Sequence, residues 1–479
     1  MTLSRTLSYC LNFKILILFF FLPAVLCAQD DSISEPFVFI QKILVEGNKR
    51  TKTGTVLREL RFETGDSLPL GNLQTVLERS RLLLLNLGVF TEVNLSVAEW
   101  GHERQVDILV HVTEGWYVYP VPILSLSDRN VNVWWNEFDH SFKRVNYGLD
   151  WSQLNLTGRA DVLKAKAQFG YTNSYELFYR SPGFNRSRTL GLEASLSYGR
   201  AHELPYQTTA NKLEFLRVRE AWQIEQLRAS ITLISRPKLF ISQSLTLEYR
   251  DNQVSDTIAK VLNPDYYLDG KNRQRHFSAI YTLSFDYRDF RPYPLKGWRA
   301  YFEVRKNGLL PTDDLQLFRA FVEWNQYFSF NKWLSLELKG KLRSSLPRGK
   351  PPQSNNQALG YGGNLVRGYD YYVIDGLDFG LLHTSWHLQI LDRHFNLGMF
   401  MPVKAYRKLP LKVYLAVNND LGWTNDPHYA ATNPLTNRIL YGYGPGLDFV
   451  LYYDKSIRFE WTWNDHGEGG FFLRVNTGF

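Results

Sequence analysis

Residues 276–287 read HFSAIYTLSFDY. On an extended chain Phe277, Ala279, Tyr281, Leu283, Phe285 and Tyr287 share one face, and His276, Ser278, Thr282, Ser284 and Asp286 share the other. Successive strand side chains point to opposite sides, so this period of two predicts a strand with one apolar and one polar face. The pattern recurs at 333–343, where Leu334, Leu336, Leu338 and Leu342 oppose Ser335, Glu337, Lys339, Lys341 and Arg343. At 457–463, Ile457, Phe459, Trp461 and Trp463 oppose Arg458, Glu460 and Thr462.

Alternation continues from Trp116 to Phe479, and the segments number about 16, an even count as bacterial barrels require. A soluble sandwich alternates too. Three features favour a membrane barrel: aromatic apolar faces, several charges per polar face, and a final strand, FFLRVNTGF, ending on its apolar face at Phe479. A terminal aromatic there resembles the signal of outer-membrane barrels. Residues 205–221 read as a loop or a strand extension. Aromatics make up 15% of the 479 residues, which suits rings kept at a membrane–water boundary. The net charge of +8 is too small for this length to signal nucleic acid.

Residues 1–28 read as a secretory signal: Arg5 and Lys14, an apolar run from Ile15 to Leu26, and a small-residue cut site at Cys27 or Ala28. A lipid-modified Cys27 is the competing reading, and the bulky Leu26 before it weighs against that. Cys10 and Cys27 are the only cysteines, so the exported chain has no disulfide. No later run approaches 18 apolar residues, so membrane crossing falls to strands.

Residues 37–115 form an α+β pattern of strand, helix, helix, strand, strand. TGTVLREL is expected as a short helix, Leu73 to Asn86 as a longer one, and Gly88 as its left-handed stop. The phrase Ile43-x-Val45-x-Gly47-Asn48-x-Arg50, the run from Leu84 to Val93 and the closing strand ending in Glu114 resemble a POTRA domain of the BamA family. Such a module has exposed strand edges to which an unfolded client could add a strand.

Three barrel segments resemble the BamA/TamA-like outer-membrane assembly and translocation superfamily. The first is LNLTGRADVLKAKAQFGY with the following YELFYRSPGF. The second is FDYRDFRPYPLKGW, in which Asp286, Arg288, Pro294 and Gly297 match a family hairpin. The third is Val366-Arg367-Gly368-Tyr369, which matches the tip of a long loop that folds back into the lumen, here about 344–378. The resemblance implies a carboxylate partner for Arg367 on the inner wall. Asp420, in a D-x-G context, matches one such acid. On the preceding strand, where a glutamate is usual, His387 stands instead, with His383 on the same face. Either Asp420 alone carries the pair, or the loop is held less firmly.

His383 and His387 lie roughly 13 Å apart at strand rise, too far to share a metal unaided. There is no HExxH, GxSxG, phosphate loop or metal-type cysteine cluster, so neither catalysis nor a cofactor is expected. The resemblance implies a two-part protein, with one POTRA domain in the periplasm and a barrel over 116–479 in the bacterial outer membrane. Its expected role is inserting other barrels or passing polypeptides across. Implied partners are unfolded clients, outer-membrane lipids and accessory lipoproteins, with no nucleic acid. The alternatives are a dedicated two-partner-type secretion pore for one client and a passive channel. Several POTRA domains are usual in general insertases, and one is expected here. Pro120 and Pro122 in WYVYPVPILSL mark either a weak closing seam or the linker.

Overall fold

A computed structural model describes residues 36–126, 142–185, 187, 189–218, 220–401, 407–452 and 455–476. The expected signal peptide and Phe479 lie outside the described residues. The first module runs β1 (Phe37–Glu46), α1 (Thr53–Leu57), β2 (Ser67–Pro69), α2 (Leu73–Leu85), β3 (Phe90–Trp100) and β4 (Gln105–Glu114). Its sheet order is β2-β1-β4-β3, with β1 and β4 parallel and the other pairs antiparallel. Ile40, Val56, Leu77, Leu84, Ile108 and Val110 pack one core between the helices and the sheet. The short helix ends at Leu57, three residues before the expected stop. Beyond it Glu59 turns outward to meet the barrel.

The strands that follow are β5 (Val118–Leu126), β6 (Val145–Leu154), β7 (Val162–Gly170), β8 (Thr172–Ser181), β9 (Leu190–Ala201), β10 (Glu203–Thr209), β11 (Lys212–Arg217) and β12 (Ile224–Lys238). Then come β13 (Ile241–Val254), β14 (Arg273–Asp286), β15 (Gly297–Asn307), β16 (Leu317–Ser329), β17 (Leu334–Leu346), β18 (Gln357–Leu359) and β19 (Ile374–Asp375). The last are β20 (Asp378–Asn396), β21 (Lys408–Asn425), β22 (Ile439–Leu451), β23 (Lys455–Asn464) and β24 (Gly469–Asn476). Sixteen of them form one antiparallel sheet from β5 to β24, while β10–β11 and β18–β19 pair apart from it. Of the stretch 205–221, the part up to Arg217 thus lies in a separate hairpin that is not paired with the wall. Among the described residues no ladder joins β5 to β24.

The alternation is inside out relative to a soluble protein. Leu124, Ile231, Leu342 and Leu473 are 80%, 62%, 57% and 57% exposed, while Glu248, Ser278, Asp420 and Glu460 are at most 1% exposed. Apolar area kept in contact with the outside is stable only where the outside is lipid.

The first module docks beneath the β6–β15 turns. The Glu114 carboxylate accepts the amides of Arg50 and Thr51 at 3.0 and 2.7 Å, shaping the loop that meets the wall. Asn155 donates to Thr51 Oγ1 at 2.8 Å, and the Gly158 carbonyl accepts from Lys52 and Thr55. Gly158 has φ +79°, and a Cβ there would stand 2.4 Å from the Arg50 carbonyl oxygen. Farther along, Arg236 forks onto Glu59 at 2.5 and 2.8 Å, and the Arg291 amide donates to Asn86 at 3.2 Å.

Candidate functional site

Residues 347–377 leave β17 on the face opposite the docked module and fold into the lumen before β20. The β18–β19 pair braces the loop. Leu359, Val366, Tyr369 and Ile374 pack with Phe379 and Leu440 of the wall. This apolar contact lets a long loop settle in a polar lumen.

The tip carries Val366, Arg367, Gly368 and Tyr369. Arg367 Nη1 donates to Asp420 Oδ1 at 2.9 Å, and the Arg367 amide donates to the other Asp420 oxygen at 2.8 Å. Arg367 Nε also donates to Glu460 Oε1 at 3.2 Å. Arg474 bridges Glu460 at 2.5 Å and Asp370 at 2.7 Å. The loop therefore rests on β21, β23 and β24 at once. Buried charges are tolerated in such an alternating chain because each carboxylate faces a guanidinium fork. Tyr369 donates its hydroxyl to Asp465.

Glycines make room for this seat. Gly368 has φ +82°, which side chains rarely adopt, and its Cα faces the Trp463 carbonyl. A Cβ at Gly442 would stand 1.6 Å from the Arg367 carbonyl oxygen, so only glycine admits the tip there.

His383 Nδ1 lies 2.9 Å from Asp420 Oδ2, so it stands beside the arginine's acid. His387 lies elsewhere, 3.1 Å from the hydroxyl of Tyr293. Among the described residues no group of three or more His, Cys, Asp or Glu is placed to hold a metal. Glu460 is the second acid that sequence reasoning did not single out. The wall's alternation marked it as facing Arg458's side, but nothing local tied it to Arg367.

The hairpin residues shape a second insert, from the opposite end of the lumen. Arg288 forks onto Asp286 at 2.8 and 2.9 Å, Arg291 joins at 3.1 Å, and Gly297 takes φ +101° against the Tyr287 carbonyl. Pro294 follows Tyr293, which rises into the lumen and is 7% exposed. The Tyr293 hydroxyl donates to Asp448 at 2.9 Å, and its ring stacks on Tyr414 at 4.9 Å. Asp448 in turn pairs with Arg458 at 3.3 Å.

A family model described as the Omp85 superfamily domain matches residues 155–471. One described as POTRA, surface antigen variable number repeat, matches residues 38–115. CdiB from Escherichia coli shares 13% identity and superposes with TM-score 0.54, over 91% of this chain and 76% of that one. CdiB from Acinetobacter baumannii gives 12% and 0.50, over 92% and 74%. BamA from Haemophilus ducreyi lacking POTRA domains 1–3 gives 17% and 0.49, over 92% and 84%. No protein of curated function matches the sequence.

Proposed function

Since the chain belongs to the Omp85 superfamily, as an outer-membrane barrel with its POTRA module in the periplasm, we propose that it passes an unfolded polypeptide outward through its own lumen. The superfamily's work is translocation or assembly of polypeptides and is not enzymatic. One observation carries the translocation reading. The lumen is filled by a loop held through side chains, Arg367 to Asp420 and Glu460, and not woven into the wall. A plug of that kind can leave without unfolding the barrel. The fold in common with CdiB also supports a dedicated pore.

The client would first meet the POTRA sheet. Its β3 is an eleven-residue edge strand, while β2 covers only Phe37 to Phe39 of β1. An extended client segment could add to β3 by backbone hydrogen bonds. Assembly of other barrels is the second reading, favoured by the absence of a β5–β24 ladder among the described residues.

Proteoliposomes test the two. Unfolded unrelated barrel protein is added outside, alongside a version of the chain lacking 37–115. Faster folding of that barrel, lost without the POTRA module, would replace the translocation reading with assembly. No acceleration, together with transport of one secreted polypeptide, is the expected result.

A further inference from the structure

Two strands along the wall from the Asp420 strand, next to β20, the lumen face of β17 and of its neighbour β16 carries Arg319, Lys341 and Arg343. None has a carboxylate within ion-pair distance among the described residues. Each donates to the inserted loop instead, and the Nε groups of Arg319 and Arg343 are left without a hydrogen-bond partner among those residues. Lys341 donates to the Gly363 carbonyl at 2.8 Å and to Asn364 Oδ1 at 3.2 Å. Arg343 donates to the carbonyls of Gln357 and Gly376, both at 2.7 Å. Arg319 donates to the Asn355 carbonyl. Next to them the positive charge is again in excess, since Arg228, Arg250 and Arg305 share Glu248 at 2.6, 2.7 and 3.1 Å, with Glu303 a second acid for Arg305 at 3.3 Å.

Two properties follow. Backbone carbonyls are common to every polypeptide, so apart from the Asn364 contact these cations hold the loop without regard to its sequence. A backbone carbonyl also brings no negative charge, so these cations are offset only at longer range, by Glu303, Glu323, Asp375 and Asp378, and a cation so placed in a confined lumen gains when an anion arrives. We infer that the Arg319–Lys341–Arg343 wall is the track on which the transported chain replaces the loop, and that it favours acidic segments. This rests on the translocation reading and names its substrate class.

Planar-bilayer recordings under a salt gradient test it with two openers: Arg367→Ala, and a chain whose 353–376 is exchanged for a short Gly-Ser linker. The opened channel is expected to favour chloride over potassium, as charged linings do. It should be blocked by a glutamate-rich unfolded peptide at about tenfold lower concentration than by a lysine-rich one. Combining either opener with Arg319→Gln, Lys341→Gln and Arg343→Gln should remove both preferences. Arg319→Lys with Arg343→Lys should keep them. If the triple variant does not fold, Lys341→Glu alone carries the comparison. An open channel without anion preference, or one whose preference survives neutralisation, overturns this inference and leaves translocation standing. No conductance from either opener overturns translocation itself, and this inference with it.

Discussion

Arg367 meets Asp420 twice, through its guanidinium and through its own amide, and reaches Glu460 as well. Alanine in its place leaves two buried carboxylates short of a partner. Breaking a buried pair in this way costs about 3–5 kcal/mol. The cost falls on the inserted loop, because the ladders of β21 and β23 do not pass through the pair. Arg367→Ala is therefore expected to free the loop and spare the barrel. Protease added on the outer side should cut within 353–376 while the heat-modifiable gel shift stays that of wild type. A protected loop in a folded variant would refute the anchoring role. Gly442→Ala should unseat the same tip by contact alone, since its Cβ would collide with the Arg367 carbonyl. Glu460→Gln should give a milder exposure, because Asp420 keeps both its bonds. Of these residues, Arg367 and Asp420 could be read from sequence because each sits in a motif. Glu460 could not, because every lumen-facing acid in an alternating strand looks alike until strand order sets who faces whom. Tyr293 was hidden for a related reason: a tyrosine in a turn reads as an interface aromatic, and its burial depends on the turn folding inward.

At the scale of elements, the POTRA module depends on its loop from Gly47 to Thr55. Burial pushes the Glu114 carboxyl up, but hydrogen bonds from the Thr51 hydroxyl and from the Thr51 and Arg50 amides outweigh it, leaving the pKa below the ordinary 4.5. A carboxylate favoured in the folded state contributes stability that is complete above its unfolded pKa. That stability is lost as pH falls through the lower folded value. Amide exchange at Arg50 and Thr51, corrected for its intrinsic pH dependence, should be slow at neutral pH and accelerate only below that ordinary value. Glu114→Gln should exchange fast at neutral pH and gain little on acidification. An acid response equal to wild type in that variant would show that another group sets it. The bond between Glu59 and Arg236 is a separate latch, and its Glu59 side chain is 5% exposed. Arg236→Ala should raise exchange over residues 58–61 without changing β1 or β4. The strands and helices of this module were readable because apolar spacing marks each one. Its docking was not, since Glu59 and Arg236 belong to different patterns and meet only once both halves are folded.

Across the whole molecule, the lumen holds one insert from each end: residues 347–377 from the outer side and the turn carrying Tyr293 from the periplasmic side. Strand number and the inside-out faces follow from alternation, which is local. Which inserts fill the lumen, and whether β5 meets β24, depend on how sixteen strands close, and no local pattern records that. The structure offers a client two routes, the lumen or the β5–β24 seam, and one tether separates them. A Cβ at Gly422 would stand 3.7 Å from the Cβ of Val366. Disulfide-bonded cysteines hold these atoms about 3.5–4.5 Å apart. Replacing Val366 by cysteine also removes the methyl that would crowd the new Cβ at 2.4 Å. Cys10 and Cys27 both precede β1, so the barrel contains no competing thiol. The double variant Val366→Cys with Gly422→Cys, once oxidised, pins the loop tip to β21 and leaves the outer wall and seam untouched. If the client passes through the lumen, oxidation should stop transport and a reductant should restore it, with each single variant indifferent to both. If the client uses the seam, transport or assembly should proceed equally in the oxidised and reduced protein. A gel shift between the two redox states establishes that the bond has formed, so continued transport by the locked protein would rule the lumen out as the route.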